Sequence, residues 1–166
     1  MTSFENISIN VSVDQHKDFL KQIEDIMLAK IPLLKSMKAK VFQSEDGEFS
    51  MKAPLGPNQN HVMSAFGGSI AALATAAGWG VIVGELKKGN ISASVVVVKS
   101  SIKYIQPIMS DFIASCKTEP IVRWTKFKDK LKTTSHSKIK ICVNVVCNHE
   151  VCAILEGTFL ARMTNA

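Results

Sequence analysis

The sequence predicts an α+β domain in which one antiparallel β-sheet curls around a single long helix. Three observations carry that prediction. Residues Val62 to Gly84, VMSAFGGSIAALATAAGWGVIVG, run without a charge through the middle of a lysine-rich chain. A short alternating pair of segments precedes this stretch, and a series of alternating apolar runs follows it. At 166 residues, 46% hydrophobic and 20% charged, the chain has the size of one domain able to bury about two-thirds of its unfolded surface. A neutral helix and a sheet with one apolar face bury most by packing on each other.

The central stretch is long enough to span a bilayer, for which about 18 apolar residues suffice. Its composition points inward to protein instead. Gly, Ala, Ser and Thr dominate, and strong apolar residues such as Phe66, Ile70, Leu73, Val81, Ile82 and Val83 are thinly spaced. Small residues all round a helix let neighbouring backbones approach closely. Pro54, Gly56, Pro57, Asn58 and Asn60 form a turn-rich lead-in. Ser64 is the expected N-cap, and Lys87, Lys88 and Gly89 supply a basic last turn and a glycine stop. Gly67 and Gly68 leave the first backbone N–H groups bare, so the helix start is a place for a carbonyl oxygen or an anion.

Upstream, residues 1–13 read as a loose lead. From Asp14 the residues Phe19, Leu20, Ile23, Ile26 and Met27 recur at helical spacing. Ser12 or Asp14 can cap that helix, and Ile31-Pro32 ends it. Met37, Ala39 and Val41 alternate with lysines, Phe49, Met51 and Ala53 alternate with polar residues, and Ser44 to Gly47 joins them as a hairpin loop. Downstream, Val96, Val98, Ile102 and Tyr104 are expected on one face of a strand that stops at Pro107. Phe112, Ala114 and Cys116 mark the next strand. Ile139, Ile141, Val143, Val145 and Cys147 alternate into a turn at Asn148-His149-Glu150. The last strand carries Val151, Ala153, Leu155, Gly157 and Phe159. Trp124, Phe127 and Leu131 fall at i, i+3 and i+7, a short amphipathic helix or loop lying on the sheet. This order of helix, hairpin, long helix and four strands is the layout of a hot-dog fold, expected as a single domain over 1–166.

Net charge is +6 with a pI near 9.2, a balance that favours acidic partners or simply solvates the surface. The segment Lys117 to Lys140 is markedly basic, with Arg123, Lys126, Lys128, Lys130, Lys132 and Lys138. Trp124 and Phe127 interleave with it like a nucleic-acid stripe, but their helical spacing points to packing, so no nucleic acid is expected. Cys116, Cys142, Cys147 and Cys152 lack CxxC spacing and lie in apolar runs, as reduced core residues do. MTSFENISINVSVDQ lacks the basic and apolar regions of a signal peptide, and a cytoplasmic protein with no membrane span is expected. No His, Cys or Asp cluster has metal-ligand spacing, so no metal is expected.

PLGPNQNHVMSAFGGSIAALATAAGW, followed by IKYIQPIMSDF, resembles the thioesterase domain at the C-terminus of bacterial acetyltransferase-like YiiD proteins, within the hot-dog acyl-CoA thioesterases. The likeness extends from the first helix to EGTFLAR in the last strand. It implies hydrolysis of an acyl-CoA or acyl carrier protein thioester, with coenzyme A part of the substrate and no separate cofactor. The acyl carbonyl would sit against the amides of Gly67 and Gly68, with Asn60 orienting water or thioester. Ser64 and Thr75 join them as candidate catalytic residues, and Asn58, His61, Phe66, Ser69, Tyr104 and Pro107 would line the substrate. Active sites of such folds form between subunits, so a homodimer or homotetramer is implied. A basic face beside the tunnel would suit the coenzyme A phosphates. One departure stands out. Many hot-dog thioesterases carry an acid two turns beyond the Gly-Gly pair, where this chain has Thr75, and no acid lies between His61 and Glu85. Threonine can hold a water but cannot take its proton at neutral pH. Position of the water by Asn60, Ser64 and Thr75, a carboxylate such as Asp111 from elsewhere, and slow activity all fit that gap, as does a non-catalytic acyl-CoA or acyl-carrier binding protein.

Overall fold

The computed structural model describes residues 5–43, 48–116 and 119–164, with side chains from Gln15 onward. Six antiparallel strands form one sheet in the order β1-β2-β4-β5-β6-β3. They are β1 (Lys40–Gln43), β2 (Phe49–Ala53), β3 (Ala93–Tyr104), β4 (Phe112–Cys116), β5 (His136–Cys147) and β6 (Glu150–Met163). The helices are α1 (Glu5–Lys30), α2 (Pro32–Ser36), α3 (Gly67–Lys88) and α4 (Ile121–Thr134). The sheet packs against α3 with β2, β3, β4, β5 and β6. That is the hot-dog architecture.

The helix α3 is long and apolar enough to cross a membrane, yet Leu73, Ala74, Ala77 and Ile82 are fully buried within the protein. Its glycines explain how rings reach its backbone. A Cβ on Gly78 would lie 2.8 Å from the Phe159 ring, and one on Gly157 would lie 2.7 Å from the same ring. Phe159 therefore occupies space that helix and strand both vacate. The helix ends in a Schellman arrangement, with Ile91 N–H on the Leu86 carbonyl at 2.9 Å and Asn90 N–H on Lys87 at 3.1 Å. The left-handed residue of that cap is Asn90, at φ 50°. Gly89, the glycine stop read from sequence, has φ −88°.

Other boundaries differ from the sequence reading too. α1 begins at Glu5, so the stretch expected as a loose lead is helical from there; once a helix is nucleated each added residue gains a hydrogen bond, and no proline or glycine interrupts 5–30. Pro32 ends α1 but also opens the short α2 as its first residue. The expected hairpin loop over 44–47 lies outside the described residues. Asn148 and His149 both have positive φ, 50° and 65°, between the paired Cys147 and Glu150; this two-residue turn matches the twist of its strands. α4 is a true helix, with Trp124, Phe127 and Leu131 buried.

The largest correction concerns β3. Its register against β6 shifts between Val97 and Lys99, which leaves Val98 as a bulge. Each residue added to a strand swaps its faces. Val95 and Val97 pair with the buried Ala161 and Phe159, and Ile102 and Tyr104 pair with the buried Leu155 and Ala153. Val96 and Val98, expected to share a face with Ile102 and Tyr104, are exposed.

Candidate active site

The loop before α3 is fixed from several sides. Asn58 is 1% exposed, and its Nδ2 donates to the Met37 carbonyl at 3.0 Å and the Pro54 carbonyl at 2.8 Å. The Phe66 amide donates to the Asn58 carbonyl at 2.7 Å, and the Ala65 amide to the Ile108 carbonyl at 2.8 Å. Between these anchors Asn60 closes a tight turn. Its Oδ1 accepts from the amides of Val62 at 3.0 Å and Ser64 at 3.1 Å, while Nδ2 donates to Ser64 Oγ at 2.8 Å. Met63 sits in this turn at φ 65°.

Ser64 therefore does not cap α3. The N-cap is Phe66, with no side-chain cap hydrogen bond, because Ser64 Oγ is taken by Asn60 two residues before the helix opens. The amides of Gly67, Gly68 and Ser69 have no acceptor inside the helix. They stand at the positive end of the helix dipole, beside a cleft of about 510 Å³ lined by Ser64, Gly67, Gly68, Tyr104, Gln106 and Pro107, among others. Tyr104 Oη donates to the Gly67 carbonyl at 2.9 Å, and its ring covers the bare Gly67. The Phe66 ring lies over Gly68, 2.4 Å from where a Cβ would stand.

Of the expected site residues, Ser64, Gly67, Gly68, Tyr104 and Pro107 thus converge on one cleft. Asn60 stands behind it through Ser64. Ser69 is half-buried in the first turn, and Phe66 and His61 are exposed beside it. Asn58 is a buried brace for the loop. Thr75 lies elsewhere, in an apolar groove of about 350 Å³ with Ala71, Ala72, Trp79, Val97 and Phe159. Asp111 accepts the Leu55 amide at 2.9 Å and does not line the cleft; among the described residues no Asp, Glu, His, Lys or Arg does. Gln106, which the sequence reading passed over, lines it and donates to Glu150 at 3.0 Å; no spacing signal marks it.

The basic segment lies at the far end. Lys128 pairs with Glu85 at 3.0 Å, which ties α4 to the last turn of α3, about 25 Å along the helix from Gly68. Arg123 is engaged by Glu119 and by the Lys140 carbonyl. Within one chain, then, α4 does not flank the cleft.

Residues 20–163 match the family described as "Putative thioesterase (yiiD_Cterm)". Among solved structures the chain is similar to a putative thioesterase from Shewanella oneidensis, with 25% identity, a TM-score of 0.77, and coverage of 88% of this chain and 99% of that one. A protein of unknown function from Chlorobaculum tepidum TLS matches with 21% identity and a TM-score of 0.83, over 87% of this chain and 94% of that one. A probable thioesterase from Pseudomonas aeruginosa, at 14% identity and a TM-score of 0.74 over 87% and 95%, shares the fold.

Proposed function

Since this chain belongs to the thioesterase family matched over residues 20–163, we propose that it hydrolyses the thioester of an acyl-CoA or acyl carrier protein to a free acid and a thiol. The observation that carries the proposal is the uncapped start of α3, opening its Gly67 and Gly68 amides onto a cleft that admits a ligand. A thioester carbonyl placed there gains negative charge on its oxygen as water adds to carbon. Preorganised donors aimed at that oxygen lower the barrier by about 3–4 kcal/mol. Collapse of the tetrahedral species expels the thiolate and leaves the acid. Asn60 acts through Ser64: with Oγ accepting from Asn60 Nδ2, the hydroxyl proton of Ser64 is directed elsewhere, toward water or substrate oxygen. Tyr104 holds the first turn in place.

Coenzyme A enters only as part of the substrate in this reading. A second copy of the chain completes the site, as homodimer or homotetramer. Supporting that, the edge strand β3 exposes Val96, Val97 and Val98, and Phe66, Tyr104, Ile105 and Met109 are exposed around the cleft, a concentration of apolar surface typical of an interface. The working environment proposed is the cytoplasm, away from membrane and nucleic acid.

A second reading, an acyl-CoA or acyl-carrier binding protein without turnover, is favoured by one observation: among the described residues no carboxylate or imidazole lines the cleft. Free-thiol release across an acyl-CoA panel separates the two. Turnover that falls at least tenfold in Asn60→Ala supports hydrolysis, whereas saturable binding with no thiol release supports the second reading.

A further inference from the structure

We infer that the acyl group is of medium length and that Trp79 sets its limit. This rests on the proposed acyl-thioester reading and adds to it the path of the chain. Gly68, Ala71, Ala72, Thr75 and Trp79 are spaced three or four residues apart and so form one stripe along α3. On the opposite side of the helix Leu73, Ala74 and Ala77 are buried. The stripe leaves the amide-lined cleft at Gly68 and, one turn on, becomes the groove walled by Val97, Phe159, Ile31 and Leu33. Its floor consists of small residues, and among the described lining residues only Thr75 and the Trp79 indole carry a polar side-chain atom.

The groove has a built end. Trp79 Nε1 donates to the Val95 carbonyl at 2.9 Å, which pins the indole across from helix to edge strand. An unpinned surface tryptophan could swing aside for a ligand; this one would have to break a hydrogen bond. Gly68 and Trp79 are about 16 Å apart along the axis at a rise of about 1.5 Å per residue. Long helical side chains lean back over the preceding turn, which removes about one turn and leaves roughly 11 Å. An extended alkyl chain advances about 1.25 Å per carbon, from C–C bonds of about 1.5 Å. The groove therefore takes about eight to ten carbons.

The test is a ladder of saturated acyl-CoAs from C2 to C18, read both by thiol release and by equilibrium binding. Wild type should peak near C8–C10 and fall at least fivefold by C16. Trp79→Ala should move the optimum about four carbons longer, Trp79→Phe should move it less, and Ala72→Leu, which fills the groove above the tryptophan, should move it shorter. Thermal melts identify a variant that has lost its fold; Trp79→Phe and Ala72→Leu then carry the comparison. An unchanged length profile in the folded variants overturns the inference, as does a groove covered only by a second copy, seen as altered oligomeric state without a profile shift. Absence of thiol release at every length defeats hydrolysis instead, and the binding ladder then decides the length limit alone.

Discussion

Tyr104 and Gly67 are joined twice, by the 2.9 Å bond from phenol to carbonyl and by close packing that places the phenol oxygen 3.3 Å from where a Gly67 Cβ would stand. An edge strand thereby holds the first turn of the central helix. Tyr104→Phe keeps the ring and removes the bond, which contributes about 0.5–1.5 kcal/mol. The expected result is a kcat/KM three- to tenfold lower with the melting temperature shifted by only a few degrees. A rate equal to wild type would show that the helix start needs no such fastening.

The glycines of α3 make opposite predictions. Replacing glycine by alanine inside a helix gains about 1 kcal/mol in propensity. At Gly84 the new methyl would meet Phe19 at 3.7 Å, an ordinary contact, so Gly84→Ala should stabilise by about 0.5–1 kcal/mol. At Gly78 it would press on Phe159 at 2.8 Å, and that ring is itself buried. Overpacking of this kind costs about 1–3 kcal/mol, so Gly78→Ala should be destabilised on balance. Denaturant melts of the two variants check both signs.

Glu85 lies in the last turn of α3, where the helix dipole disfavours an acid. Burial raises its pKa, but the bonds and charges of Lys88 and Lys128 outweigh burial and hold it below the ordinary 4.5. A lowered folded pKa means stability that is present above the unfolded value and lost as pH falls through the folded one. Wild type should thus lose its advantage over Glu85→Gln as pH drops below 4.5. At neutral pH the variant should be less stable by about 1 kcal/mol, the scale of a partly exposed pair. Parallel melting curves at all pH values would exclude this role.

Among the described residues no Asp, Glu or His lines the cleft, so none of them is placed to accept the proton of attacking water. Log kcat/KM should climb with pH between about 6 and 9, as hydroxide becomes available, rather than follow the bell that paired acid and base groups produce. A bell-shaped profile whose acid limb disappears in Asp111→Asn would point to that carboxylate instead.

Much of this architecture is legible in the residues themselves. The alternation in β5 and β6 and the i, i+3, i+7 spacing of Trp124, Phe127 and Leu131 state their own periods, and structure follows them. The uncharged run around Gly67-Gly68 likewise announces a buried helix with an open start. What stays hidden depends on partners distant in sequence. Ser64 has the chemistry of an N-cap, and only the Asn60 amide within bonding distance diverts it. Thr75 is aligned with Gly68 on the helix, yet the separation along the axis puts it in the neighbouring groove and not beside the open amides. The pin from Trp79 to Val95 joins two elements whose contact no local pattern encodes.

The extra residue at Val98 has a genetic corollary. It shifts the reading frame of an otherwise regular pleat, so that Val95 upstream and Tyr104 downstream both point toward α3. Deleting the Val98 codon would give a monotonous strand in which Val97 and Lys99 adjoin as their partners Phe159 and Thr158 do, and Tyr104 would still face Gly67. Loss of Val98 should therefore be milder than an added residue on either side of it, which would turn Tyr104 from the helix.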